Sequence, residues 1–160
     1  MMGSAERIGE LLLARDWRIA VAESTAGGLL SAALLTVPGS SRYYERGVVA
    51  YSKAAKLETL GMPPELYTER GSSHQAAVRA MAEGVRRLSG AQVGVAESGV
   101  AGPAPGRTGL PIGTVWAAVA TPERTVEREL HLPGDRAQIM SGIVDAVLDM
   151  LEEVLAPTGR

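Results

Sequence analysis

The chain has 160 residues, one domain's worth, and 46% of them are hydrophobic, so it can bury a core of its own. A formal net charge of -2 and an aromatic share of 4%, with no phenylalanine, argue against a broad nucleic-acid surface or a base-stacking platform. Cysteine is absent, which excludes disulfides, thiolate nucleophiles and zinc–thiolate sites.

The two histidines, His74 and His131, lie far apart in sequence and away from carboxylate clusters, so they suggest no local metal motif; no cofactor is expected either. No run approaches the roughly 18 apolar residues of a membrane span, and no signal peptide is visible. The expectation is a soluble, cytoplasmic protein forming one domain over 1–160.

Ile8, Leu11 and Leu12 share one face of an amphipathic helix from Ser4 to Ala14. A first strand follows from Trp17 to Ala22, then a helix over Leu29–Leu35 that ends near Pro38-Gly39. The spacing predicts a second strand at Val48–Tyr51 and a helix from Lys53 to Leu60 capped by Ser52. Ser72 with Gln75 fits a capping box for the next helix, which ends at Ser89-Gly90. Ala91–Glu97, Ile112–Ala120 and Glu127–Leu132 read as strands three to five, the fourth buried on both faces and the fifth at an edge. Asp135 opens a last helix with Ile139, Ile143, Val147, Met150 and Val154 at helical spacing.

Strands alternating with helices give an α/β domain with a mostly parallel sheet. Only a few residues around Thr121-Pro122 join strands four and five, enough for a hairpin but not for a parallel crossover. The sheet is therefore mixed.

In open α/β sheets ligands bind outside the carboxyl ends of strands. Ser24 stands where strand one gives way to a helix, followed by Thr25, Ala26, Gly27 and Gly28. Free backbone N–H groups at such a turn can bind an anion or a developing oxyanion, and the glycines admit close approach. The same residues also suit an ordinary turn with Ser24 or Thr25 as N-cap.

Lys53 and Lys56 lie early in a predicted helix, where the macrodipole disfavours cations. A lysine there can lose its proton and serve as a base for a serine, or both can be solvated surface residues. After strand three, Ser98-Gly99-Val100-Ala101-Gly102 is a glycine-rich turn able to wrap a phosphate, though it matches neither the P-loop nor the Rossmann spacing. Arg136 could clamp a phosphate or carboxylate beside it, or stand at the surface beside an N-cap.

Six ordered stretches resemble the CinA C-terminal domain family: Ala22-Glu23-Ser24 with Gly27-Gly28; Pro38-Gly39-Ser40-Ser41; Gly47 with Tyr51-Ser52 and Lys56; Ser98 to Pro103; Pro111 to Trp116; and Gly134-Asp135-Arg136. The resemblance implies a three-layer α/β/α sandwich with a mixed five-stranded sheet, one strand of it antiparallel. It also implies metal-independent hydrolysis of nicotinamide mononucleotide to nicotinate mononucleotide and ammonia. The family's nucleophile falls on Ser24, and its motif tyrosine and lysine on Tyr51 and Lys56.

The expected binding set is Thr25, Ala26, Gly27, Gly28, Ser98, Gly99, Ala101, Gly102, Gly113, Thr114 and Arg136. Amides around Ala26 to Gly28 would hold the oxyanion; the Ser98–Gly102 loop, Gly113-Thr114 and Arg136 would hold ribose and phosphate. The chain departs from the family at Ala26, usually threonine, and at Glu97, usually a small hydroxyl residue. Ala104-Pro105 and Leu110 replace what is often more glycine and a lysine. In many relatives the domain follows a larger N-terminal one, whereas here it is expected alone. The expected partners are a nucleotide substrate and a second copy of the chain in a homodimer, not nucleic acid or a membrane. The rival expectation is a non-catalytic nucleotide-binding or competence-related interaction module.

Overall fold

A five-stranded sheet in the order β2-β1-β3-β4-β5 divides the computed structural model, which describes residues 2–157. Its strands are β1 (Ile19–Glu23), β2 (Tyr44–Val49), β3 (Val93–Gly99), β4 (Thr114–Ala120) and β5 (Thr125–His131). β1 pairs in parallel with both β2 and β3, while β4 runs antiparallel to β3 and to β5. The hairpin forced by the short link after Ala120 is thus met by turning β4 alone.

Helices α1 (Ser4–Leu13), α2 (Leu29–Leu35) and α4 (Arg136–Leu155) cover one face, and α3 (Gln75–Ser89) covers the other. On the first face Ile8, Leu12, Leu30, Leu34, Ile139, Ile143 and Leu151 meet Ile19, Val21, Val93, Val95 and Val119. Each large aliphatic side chain so buried contributes about 1.5–3 kcal/mol. The second face is paved with alanine, Ala20, Ala22, Ala96, Ala118 and Ala120, under Val78, Met81 and Val85. There α3 sits at backbone distance from the sheet: a Cβ on Gly94 would stand 2.1 Å from the Ala82 carbonyl oxygen. Among the described residues no helix is long and apolar enough to cross a membrane.

Several local expectations are corrected. β2 starts four residues earlier than expected and ends at Val49, so Tyr51 lies beyond the strand. As an edge strand it bonds to β1 alone, and its exposed Glu45-Arg46-Gly47 carry no apolar alternation to reveal it. β3 runs on through Ser98 and Gly99, which pair with Trp116 and Val115, so the glycine-rich loop begins only at Val100. The expected helix over Lys53–Leu60 is a short segment with a π-helical turn at Ala55–Thr59. Ser52 does cap it, its hydroxyl accepting the Ala55 N–H at 3.1 Å. The Ser72–Gln75 capping box does not form: extended His74 precedes α3, and the Ser72 hydroxyl is turned to Ser98 instead.

Candidate active site

The carboxyl ends of β1 and β3 open into a cavity of about 310 Å³. Its walls come from Ser24-Thr25 after β1, Tyr51 and Lys56 after β2, Ser98 to Gly102 at the end of β3, the segment Tyr67 to Ser73, and Arg136 on α4. Five segments distant in sequence meet here because parallel strands point their carboxyl ends the same way.

Ser24 and Lys56 are both buried, with Lys56 only 2% exposed. The Lys56 ammonium Nζ donates to Ser24 Oγ at 3.0 Å and to the Tyr51 carbonyl oxygen at 2.8 Å. Burial lowers the lysine to about 8, opposed by the negative charge of Glu97. The macrodipole argument made for this lysine gives way to desolvation, because the segment that carries it is a single wide turn. π turns recur at functional sites, and here one carries the amine that reaches the serine. Lys53 points elsewhere, its ammonium 5.2 Å from the centre of the Tyr67 ring.

Tyr51 enters through its backbone carbonyl. Its side chain is 63% exposed, and its hydroxyl lies 3.4 Å from Arg136 Nη2. Arg136 Nη1 donates to the Gly102 carbonyl at 2.8 Å, tying the first turn of α4 to the glycine-rich loop.

The turn after Ser24 is not an open nest of amides. Glu97, fully buried on β3, accepts the N–H groups of Ser24 at 2.7 Å, Ala26 at 2.9 Å and Thr25 at 3.2 Å. Glu23 accepts those of Gly28, Leu30 and Ser31 at 2.9, 3.0 and 2.8 Å. The Ala26 and Gly28 N–H groups expected as oxyanion donors are therefore bonded within the protein. Burial pushes the Glu97 carboxyl up to about 7, while the three N–H bonds pull the other way. Thr25 locks the same turn to β3, donating to the Gly99 carbonyl at 3.1 Å and accepting the Gly99 N–H at 2.8 Å.

Of the expected binding residues, Thr25, Ser98, Gly99, Ala101, Gly102 and Arg136 line the cavity, whereas Ala26, Gly27, Gly28, Gly113 and Thr114 do not. Ala26 is wholly buried. Gly27 and Gly28 adopt φ of 64° and 105°, left-handed backbone that needs glycine, and the nearest neighbours of a Cβ there would be Met140 and Val49. Gly113 packs against the Leu132 backbone.

The cavity also holds residues the sequence reading missed. Arg70, Arg107, Ser72, Ser73 and Tyr67 line it, the Tyr67 ring lying under both Lys53 and Arg107. The Ser72 and Ser98 hydroxyls are 2.7 Å apart. Arginines, hydroxyls and few apolar groups suit a small anionic ligand. The one sequence signal was the polar run Arg70-Gly71-Ser72-Ser73, which has no period. Among the described residues no group of three or more acidic or histidine side chains is placed to hold a metal ion.

Fold and cavity define a class first: an α/β/α domain with a Ser–Lys pair at the carboxyl ends of parallel strands. The chain belongs to the CinA C-terminal domain family, whose model matches residues 2–155. It is 41% identical to a Pseudomonas putida protein named nicotinamide-nucleotide amidohydrolase PncC, over 92% of each chain. It is 43% identical to a putative competence-damage inducible protein of Desulforamulus reducens, over 92% of this chain and 36% of that protein. The chain thus spans about a third of the length of the first curated relatives it matches. The crystal structure of competence damage-inducible protein A (ComA) from Klebsiella pneumoniae superposes with a TM-score of 0.93 at 34% identity, covering 98% of this chain and 97% of that one.

Proposed function

We propose that the chain hydrolyses the carboxamide of nicotinamide mononucleotide, giving nicotinate mononucleotide and ammonia. One observation carries the reading: a buried lysine amine 3.0 Å from a serine hydroxyl, in a cavity lined with arginines. The similarity to the Pseudomonas putida amidohydrolase supports the same substrate.

Ser24 Oγ attacks the amide carbon while neutral Lys56 takes its proton. The tetrahedral intermediate then collapses, Lys56 returns that proton to the departing nitrogen, and ammonia leaves. Water attacks the acyl-enzyme with Lys56 again as base, which frees the carboxylate and restores the Ser24 hydroxyl. Tyr51 keeps the amine on the serine through its carbonyl oxygen. With the Ser24, Thr25 and Ala26 amides held by Glu97, the hydroxyls of Ser98 and Ser72 on the cavity wall serve as donors to the oxyanion. Arg136 and Arg70 hold the phosphate, with Gly99 to Gly102 beneath the ribose.

Ammonia release from the mononucleotide, measured with the purified chain, tests the reading. The expected result is turnover that persists after exhaustive chelation and disappears in Ser24→Ala. A well-folded parent that releases no ammonia would return the chain to the non-catalytic alternative.

A further inference from the structure

The mechanism above makes no use of Glu97, yet a carboxylate taken wholly out of water is costly unless the surroundings answer it. Here the answer comes from the nucleophile's own backbone. Both carboxylate oxygens are engaged, and their donors are Ser24, Thr25 and Ala26. Ser24 is thus gripped on two sides: its N–H on Glu97 at 2.7 Å and its Oγ on Lys56 at 3.0 Å.

We propose that Glu97 is a positioning residue for the Ser24–Lys56 pair: its carboxylate fixes the Ser24–Ala26 backbone, and its charge stands one residue behind the lysine. The inference rests on Ser24 and Lys56 being nucleophile and base. It adds a residue that touches neither substrate nor reacting atom and acts through both. A serine or threonine hydroxyl at this position would be too short to bridge the three amides that Glu97 holds. Other charged groups around the pair are Glu23 beneath α2 and, on the cavity walls, Arg70, Arg107 and Arg136. None of them changes in the variants below.

The test is the rate at which a small serine-directed fluorophosphonate labels Ser24, followed against pH in the 160-residue chain. In Glu97→Gln the amide oxygen can keep the Ser24 and Ala26 N–H groups, but its NH2 meets the Thr25 N–H donor to donor. The plateau rate at high pH is expected to fall about 10- to 100-fold, the cost of a slightly displaced nucleophile. Losing the negative charge disfavours the protonated lysine, so the alkaline-rising limb moves to lower pH, by roughly one unit. Glu97→Asp keeps the charge but retracts it by one methylene. Its limb stays with the parent's while its plateau falls, and it carries the test if the glutamine variant does not fold.

A glutamine variant with the parent's plateau and limb overturns the proposal, as does an aspartate variant with an unchanged plateau. Because labelling needs no nucleotide, a parent that is labelled but releases no ammonia refutes the amidase reading alone. A parent that is never labelled refutes both.

Discussion

Glu23 and Glu97 stand on neighbouring strands, one step beyond the Ala22–Ala96 pair of β1 and β3, and both are wholly buried. Each gathers backbone N–H groups from the segment that follows β1, Glu97 from Ser24, Thr25 and Ala26 and Glu23 from Gly28, Leu30 and Ser31. Their difference is what lies across the turn. Behind Glu97 is Ser24 with the Lys56 amine upon it; behind Glu23 is the first turn of α2, with the Ser31 hydroxyl donating to it. Burial and donor count therefore do not distinguish the two carboxylates; the cation on the far side does. A second lesson concerns anions. Amides just after Ser24 that look free for an anion in the sequence are occupied from within, and the arginines of the cavity wall are the charges placed to take a phosphate.

The sharpest way to break this comparison is to remove the cation. Lys56→Met keeps the stem, and kcat for ammonia release should fall by roughly 10²- to 10⁴-fold, whereas Lys53→Met should stay within a few-fold. In the parent, kcat/KM should rise with pH through a midpoint near 8, since only the neutral amine accepts the serine proton and burial lowers its affinity to about that value. A flat profile between pH 6 and 9 would contradict the assignment of Lys56 as base.

Glu23→Ala comes next, and its effect belongs to stability. Three amides and the Ser31 hydroxyl lose their acceptor, which should cost about 2–5 kcal/mol in urea unfolding. The pH midpoint of Ser24 labelling should move less than in Glu97→Gln, because Glu23 reaches the pair through its charge on Glu97. Should it move as far as in Glu97→Gln, the two carboxylates are not distinct in role.

Arg136→Met examines the second lesson. Losing one charge-assisted phosphate contact, worth about 1.5–3 kcal/mol, should raise KM for the mononucleotide roughly 10- to 100-fold and leave the phosphate-free riboside unaffected. The smallest effect is expected from Tyr51→Phe. Among the described residues its phenol bonds to Arg136 at 3.4 Å, and the carbonyl that holds Lys56 is untouched, so kcat should change no more than a few-fold. A loss as large as that of Lys56→Met would place the phenol in the proton path.

What could be read from residues alone follows from how local each signal is. β4 is a continuous apolar run and α4 a clean helical repeat, and both stand where the pattern puts them. β2 was expected but placed four residues late, because one hydrogen-bonded neighbour is enough for an edge strand and its side chains need not alternate. Ser24 and Lys56 were legible through residue type and family resemblance. That their atoms meet is a property of the fold, 32 residues of chain apart. Arg70, Tyr67 and Arg107 were invisible because they sit in irregular segments with no period to mark them. Glu97 was visible as an anomaly, but its three partners lie more than 70 residues away, and no local rule could pair them.

The alanine-paved face under α3 has a mechanical consequence. Where Ala82 rests on Gly94, backbone bears on backbone, and no rotamer can yield to let the helix slide. Ser72 and Ser73, just ahead of α3, lean on Ser98 at the cavity wall. The width of that wall is thus gauged by the thickness of two main chains, like a machined stop. Adding a single methyl group at Gly94 would act as a shim, lifting α3 and resetting which ligands fit without altering any residue that touches them.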